Sequence, residues 1–155
     1  MSSRIAFQSE ARRHEGPPDA LVIHCSDHRF QPSFREFLAE GLKLPSYALI
    51  AIPGGGHFFT LEFVLPKYAK VGMQSVRFHL KRARPHRIVL IGHDDCLFFK
   101  ERVQFYYSEP DLHAKQAASL RKARAIAEEQ FPGLPVELFF ADTGPDGSVH
   151  FLTIA

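Results

Sequence analysis

Two short clusters in this 155-residue chain carry both of its cysteines. The first is Cys25-Ser26-Asp27-His28-Arg29; the second is His93-Asp94-Asp95-Cys96. Two thiolates and one imidazole, from Cys25, Cys96 and His93, make a three-ligand set for Zn²⁺, and three protein ligands leave the fourth tetrahedral position to water or substrate. That is the donor count of a catalytic zinc rather than a structural one. Taken singly, Cys25 reads as a buried apolar thiol and His93 as a core imidazole bonded to backbone. The joint pattern argues otherwise, because both cysteines fall in the two clusters and both clusters follow apolar runs of strand type.

Charge arithmetic gives the neighbouring residues a task. Two thiolates neutralise the formal charge of the ion, so it acidifies water less readily than a three-imidazole site, where bound water reaches a pKa of about 7. Asp27, two residues from a ligand, can accept a hydrogen bond from hydroxide on the metal, and Arg29 can hold that carboxylate ionised by a bidentate pair. A freed Asp27 could instead occupy the fourth position and close the site. The bland alternative for Asp27 and Arg29 is a salt bridge of structural value alone. His24 and His28, flanking Cys25, and His57 are candidate proton carriers or hydrogen-bond donors around the ligands.

The elements that must position these groups are legible as periodicity. The apolar run Ala20 to Ile23 leads into Cys25, and Ile88 to Ile91 leads into His93, each short and unalternating as in a strand covered on both faces. Tyr47 to Ile52 is a second buried strand candidate, running into Pro53 and the glycines Gly54, Gly55 and Gly56. Val136 to Ala141 is a fourth strand and Ser148 to Ile154 a fifth, joined by a Gly-Pro-Asp-Gly turn. Pro32 and Ser33 open a helix that Gly41 can close. Met73, Val76, Leu80 and Ala83 share a helical face, and the stretch from Phe58 to Tyr68 is ambiguous because Pro66 interrupts it. Ser108 and Asp111 have the spacing of a capping box before a helix running to about Gln130. Four apolar strands separated by crossovers predict an α/β fold: a central sheet of four parallel strands plus an antiparallel edge strand, with helices on both faces. Ligands of such sheets bind beyond the carboxyl ends of the strands, where the winding direction reverses. Residues 1–19 read as an N-terminal arm and residues 20–155 as one domain.

Composition narrows the function classes. The chain is 45% hydrophobic with 19 basic and 17 acidic residues, which excludes disorder and gives no electrostatic case for a nucleic-acid or membrane partner. A chain of this length buries about 68–70% of its unfolded surface, enough for a core without disulfides. No apolar run approaches the roughly 20 residues of a membrane span, and the arm carries no signal-peptide pattern, so a cytoplasmic location is expected. Phenylalanine is abundant, 15 residues against no Trp. Adjacent pairs such as Phe58/Phe59, Phe98/Phe99, Tyr106/Tyr107 and Phe139/Phe140 cannot both face one core from a single amphipathic element, which implies elements covered on two sides.

From Ala20 onward the CxDxR and HxxC pair resembles the β-class carbonic anhydrases. The resemblance implies that Cys25, His93 and Cys96 bind zinc, that Asp27 and Arg29 form the dyad gating it, and that zinc-bound hydroxide hydrates carbon dioxide to bicarbonate. It also implies a homodimer or higher homo-oligomer, consistent with the surplus aromatics. Asp95 before the second cysteine is common in that family, and Phe140-Ala141-Asp142-Thr143-Gly144 is similar to its final hairpin. Two positions depart from it: Leu97 stands where glycine usually follows the second cysteine, and Ile52-Pro53-Gly54-Gly55-Gly56 replaces an Arg-Asn-Ala-Gly-Asn loop. Apolar surroundings suit a small uncharged substrate, so hydrolysis of carbon disulfide or carbonyl sulfide is the enzymatic alternative. A non-catalytic binding module on the same scaffold is the other.

Overall fold

A computed structural model describes residues 3–155. Residues 3–17 carry no helix or strand and are exposed. The chain then enters β1 (Ala20–His24), α1 (Gln31–Glu36, continued as a π-turn over Phe37–Gly41) and β2 (Tyr47–Ala51). A 3-10 segment (Gly55–Thr60) leads to α2 (Pro66–Arg82), β3 (Ile88–His93) and α3 (Leu97–Arg102). Next come a 3-10 turn (Gln104–Tyr106), α4 (Leu112–Gln130), β4 (Val136–Thr143) and β5 (Val149–Thr153).

The five strands form one sheet in the order β2-β1-β3-β4-β5. β1 pairs in parallel with β2 and β3, β3 in parallel with β4, and β4 antiparallel with β5. The winding reverses between β1 and β3, so the crevice for a ligand opens where these neighbours end. Both strands are buried at every position, which is why neither shows polar alternation.

Alternate residues serve two cores. Leu21, Ile23, Ile88, Leu90, Leu138 and Phe140 face α2 and α4, meeting Val76, Leu120, Ala123 and Ala127. Ala20, Val22, Val89, Ile91 and Ala141 face α1, meeting Phe30, Phe34 and Leu38. Full burial of each large apolar side chain is worth about 1.5–3 kcal/mol, so the central strand pair is the most firmly held part of the molecule.

Three details differ from the sequence expectations. β2 is an edge strand and half exposed, not a buried one, because no strand pairs with its outer side. Ser108 does not cap α4; Asp111 does, its carboxylate accepting the Ala114 amide at 2.8 Å, so the helix starts one turn later than a capping box would place it. Phe58 and Phe59 are buried in the same core, their rings stacked 4.5 Å apart. They can do so because the 3-10 segment rather than a strand or α-helix carries them, and because Gly72 of α2 leaves the space that the Phe58 ring fills. Phe139 and Phe140 do divide between the two faces of the sheet. Among the described residues no helix is long and apolar enough to cross a membrane.

Candidate metal centre

β1 delivers Cys25 and β3 delivers His93 to the same end of the sheet, and Cys96 starts α3 just beyond. The ligand atoms of the three residues all lie within 4.8 Å of one another, and all three side chains are buried. The free thiols are not bridged.

His93 is held in a defined tautomer. Its Nδ1 lies 2.7 Å from the Asp94 carbonyl, which accepts only, so Nδ1 carries the proton and Nε2 keeps a lone pair. That Nε2 is buried and has no hydrogen-bond partner. An orphaned imidazole nitrogen in a dry site costs about 1–3 kcal/mol unless something coordinates it. Beside two thiols it fits a thiophilic divalent cation such as zinc, whose histidine ligands bond backbone or carboxylate through their other nitrogen. The backbone around His93 is fixed as well: Gln116 of α4 donates Nε2 to its carbonyl at 2.9 Å, and Thr143 donates Oγ1 to Asp94 at 2.9 Å.

Cys25 is approached from the glycine loop. The Gly54 amide donates to Sγ at 3.3 Å, and Gly54 takes φ +82, a left-handed conformation natural to glycine. A Cβ on Gly55 would come within 2.7 Å of the Cys25 nitrogen and the His24 carbonyl carbon, so the loop passes against the end of β1 with no room for a side chain. Hydrogen bonding from the Cys96 thiol, and from the Gly54 amide, pulls the Cys25 thiol far below its ordinary range. The same bond and the resulting negative charge push Cys96 up. The protein alone thus favours one thiolate, and a cation would favour the second.

Asp27 stands outside the ligand group, turned toward Arg29. Arg29 donates Nε to both carboxylate oxygens at 3.1 Å and Nη2 to Oδ2 at 2.7 Å, and its amide donates to Oδ1 at 2.9 Å. The guanidinium holds Asp27 at about 2, well into the ionised state at neutral pH. An open cleft of about 290 Å³ reaches this centre between Asp27, Arg29, Pro53, Leu97 and Phe98. Larger clefts lie between α2 and α4 and between α1 and β5, and neither is lined by the three ligands.

The other sequence candidates separate. His24 is buried, donates Nδ1 to the Cys25 carbonyl at 2.8 Å and stacks on Phe34, which is a positional contact to a ligand's backbone. His28 is exposed at the cleft mouth. His57 is buried with Nδ1 2.8 Å from the Ser119 hydroxyl, and burial pushes it down to about 3. Gln116, Gly54 and Tyr68 were not singled out by the sequence for roles here. Tyr68 donates its hydroxyl to the Pro53 carbonyl and stacks on Phe98, with burial and then the thiolates pushing it up to about 12. Gln116 and Tyr68 lie in no motif, so spacing gives no signal for them; Gly54 belongs to the glycine loop after β2, whose residue types do not reveal the bond to Cys25.

No protein-family model matches the chain, and comparison with curated sequences finds no match. Among solved structures, the β-carbonic anhydrase CafA of the fungal pathogen Aspergillus fumigatus is 19% identical, with 90% of this chain and 77% of that one covered at a TM-score of 0.44. β-Carbonic anhydrase isoform I (TvaCA1) of Trichomonas vaginalis is 11% identical, with 94% and 88% covered at a TM-score of 0.55. The second likeness, with the strand order and the closing antiparallel strand, makes this a chain of β-carbonic-anhydrase-like fold.

Proposed function

We propose that the chain is a zinc-dependent carbonate dehydratase that interconverts carbon dioxide and bicarbonate. The observation that carries this reading is the buried, unpartnered Nε2 of His93 within 4.8 Å of two thiols. When bound, zinc supplies Lewis acidity to an open fourth position. Cys25, His93 and Cys96 would hold it, the two thiolates balancing its charge. Asp27, kept ionised by Arg29, serves as acceptor for a water reacting at the cleft floor and orients it toward the carbon of carbon dioxide. Pro53, Leu97 and Phe98 give that cleft an apolar wall, which admits an uncharged linear molecule and sheds water. The net proton released with bicarbonate leaves through the open side, where His28 stands exposed.

The same apolar wall favours carbon disulfide or carbonyl sulfide hydrolysis as the second reading, since Leu97 places a branched side chain, 55% exposed, at the mouth. A homodimer belongs to this proposal: β2 leaves one sheet edge unpaired, and Phe63, Phe105 and Tyr106 are exposed. Residues 20–155 are proposed as the catalytic domain, in a cytoplasmic protein. Metal analysis of purified protein followed by stopped-flow hydration of carbon dioxide tests the reading. One zinc per chain with hydration between pH 7 and 9 supports it; stoichiometric zinc with no hydration but with hydrolysis of carbon disulfide moves the assignment to the second substrate class. Zinc-free protein with Cys25 and Cys96 oxidised to each other points to a non-catalytic module.

A further inference from the structure

Arg29 is gripped from two sides. Besides its bonds to Asp27, it donates Nη1 to Asp95 Oδ2 at 2.9 Å and Nη2 to the Asp95 carbonyl at 3.0 Å. Asp95 presents carboxylate and carbonyl together because it takes φ +50, a left-handed conformation that non-glycine residues rarely adopt. Lys100, one turn into α3, donates Nζ to the other oxygen, Oδ1, at 2.8 Å, so the carboxylate is itself aimed. Strain at a single residue persists where the surroundings over-determine it, and here two cations, Arg29 and Lys100, do so.

Packing on the guanidinium is sparse, with Cζ 5.9 Å from the Phe30 ring centroid. Arg29 forms a wall between two clefts: the one at the metal ligands, about 290 Å³, and one behind it, about 320 Å³, bounded by Phe30, Asp94, Thr143 and Val149. It has free space on both sides, and its side chain is 40% exposed. Beside its own bonds to Asp27, the polar contacts that fix the far side of the guanidinium are those to Asp95.

We infer that Asp95, aimed by Lys100, is the positioning residue that keeps Arg29 on Asp27 and so holds Asp27 away from the fourth coordination position. The residue lies between the two ligands His93 and Cys96 in sequence, so the same contact ties the loop after β1 to the loop after β3. Without it, Arg29 swings into the rear cleft and the released Asp27 carboxylate turns toward the cation. This inference rests on the metal reading above, and its test separates the two.

The first measurement needs no metal: hydrogen exchange of the Arg29 Nε–H, followed by ¹⁵N NMR in metal-free protein. Loss of a charge-assisted partner in Asp95→Gly, which relieves the left-handed backbone, accelerates exchange by about tenfold or more. Asp95→Asn, which keeps an acceptor oxygen, falls between this and the native protein, and Lys100→Met gives the smallest change. The second measurement is azide titration of the visible spectrum of the cobalt(II)-substituted protein. Asp95→Gly weakens azide binding about 10–100-fold because Asp27 competes for the open position, and Asp95→Asn restores part of it. Native exchange rates and native azide affinity in Asp95→Gly and Lys100→Met together overturn the inference. Should native protein take up no cobalt, the metal reading fails, and the exchange rates still decide the clamp. Should Asp95→Gly not fold, Asp95→Asn and Lys100→Met carry the comparison.

Discussion

His93 at the end of β3 and His57 in the 3-10 segment beneath α4 are both about 1% exposed, yet their surroundings are opposite in kind. His57 has its Nδ1 beside the Ser119 hydroxyl and its ring against Phe99 at 4.6 Å, an ordinary way to satisfy an imidazole in a core. His93 spends Nδ1 on a backbone carbonyl and presents a bare Nε2 to two thiols. Burial of a histidine therefore does not mark a ligand. An unpaired nitrogen set among two thiols is what distinguishes His93.

The largest effect expected from this contrast is on the metal. His93→Ala removes a ligand, and loss of a bound cation withdraws several kcal/mol of transition-state stabilisation, about 10³-fold or more in rate. Elemental analysis and stopped-flow hydration check it; His57→Gln, by contrast, leaves zinc content at the native level.

Gly55→Ala comes next. Its φ of +53 and a Cβ 2.7 Å from the backbone of His24 and Cys25 make the site intolerant of a methyl group. A loss of about 1–3 kcal/mol is expected in denaturant unfolding, with weaker metal binding because Cys25 must shift.

His57 sharpens the comparison through pH. Its folded-state pKa, about 3, lies below the ordinary 6.5, so the unfolded chain binds the extra proton. Its stabilising contribution is complete above pH 6.5 and is lost as pH falls from there toward 3, at about 1.4 kcal/mol per unit. Unfolding curves at stepped pH should fall less steeply in His57→Gln than in native protein, the remainder coming from groups such as His24, which burial also pushes down. The smallest effect is Ser119→Ala, about 1 kcal/mol of stability from the lost hydroxyl, with zinc content unchanged.

Much of the fold and of the site is legible in the sequence. β1 and β3 announced themselves as unalternating apolar runs, and each run ended in donors, so Cys25, His93 and Cys96 could be joined from spacing and strand order. The Asp27–Arg29 pair was legible for the same reason, both residues being local to one motif. The apolar composition of β2 predicts a buried strand, whereas its place at the edge is set by strand order. Ser108 has the correct spacing to Asp111 for a capping box, but Asp111 itself begins the helix. The grip of Asp95 on Arg29, the Gln116 bond to His93 and the Gly54 amide on Cys25 stayed hidden, since each joins segments far apart in the chain and depends on backbone conformation that residue types do not reveal.

Zinc K-edge X-ray absorption of the protein purified with its own metal addresses the centre most directly. The account predicts one zinc with two sulfur neighbours at about 2.3 Å and one nitrogen at about 2.0–2.1 Å, the fourth neighbour a light atom. Loss of one sulfur in Cys96→Ser should follow. A zinc shell of oxygen and nitrogen alone, or a spectrum unaltered in Cys96→Ser and His93→Ala, would contradict it.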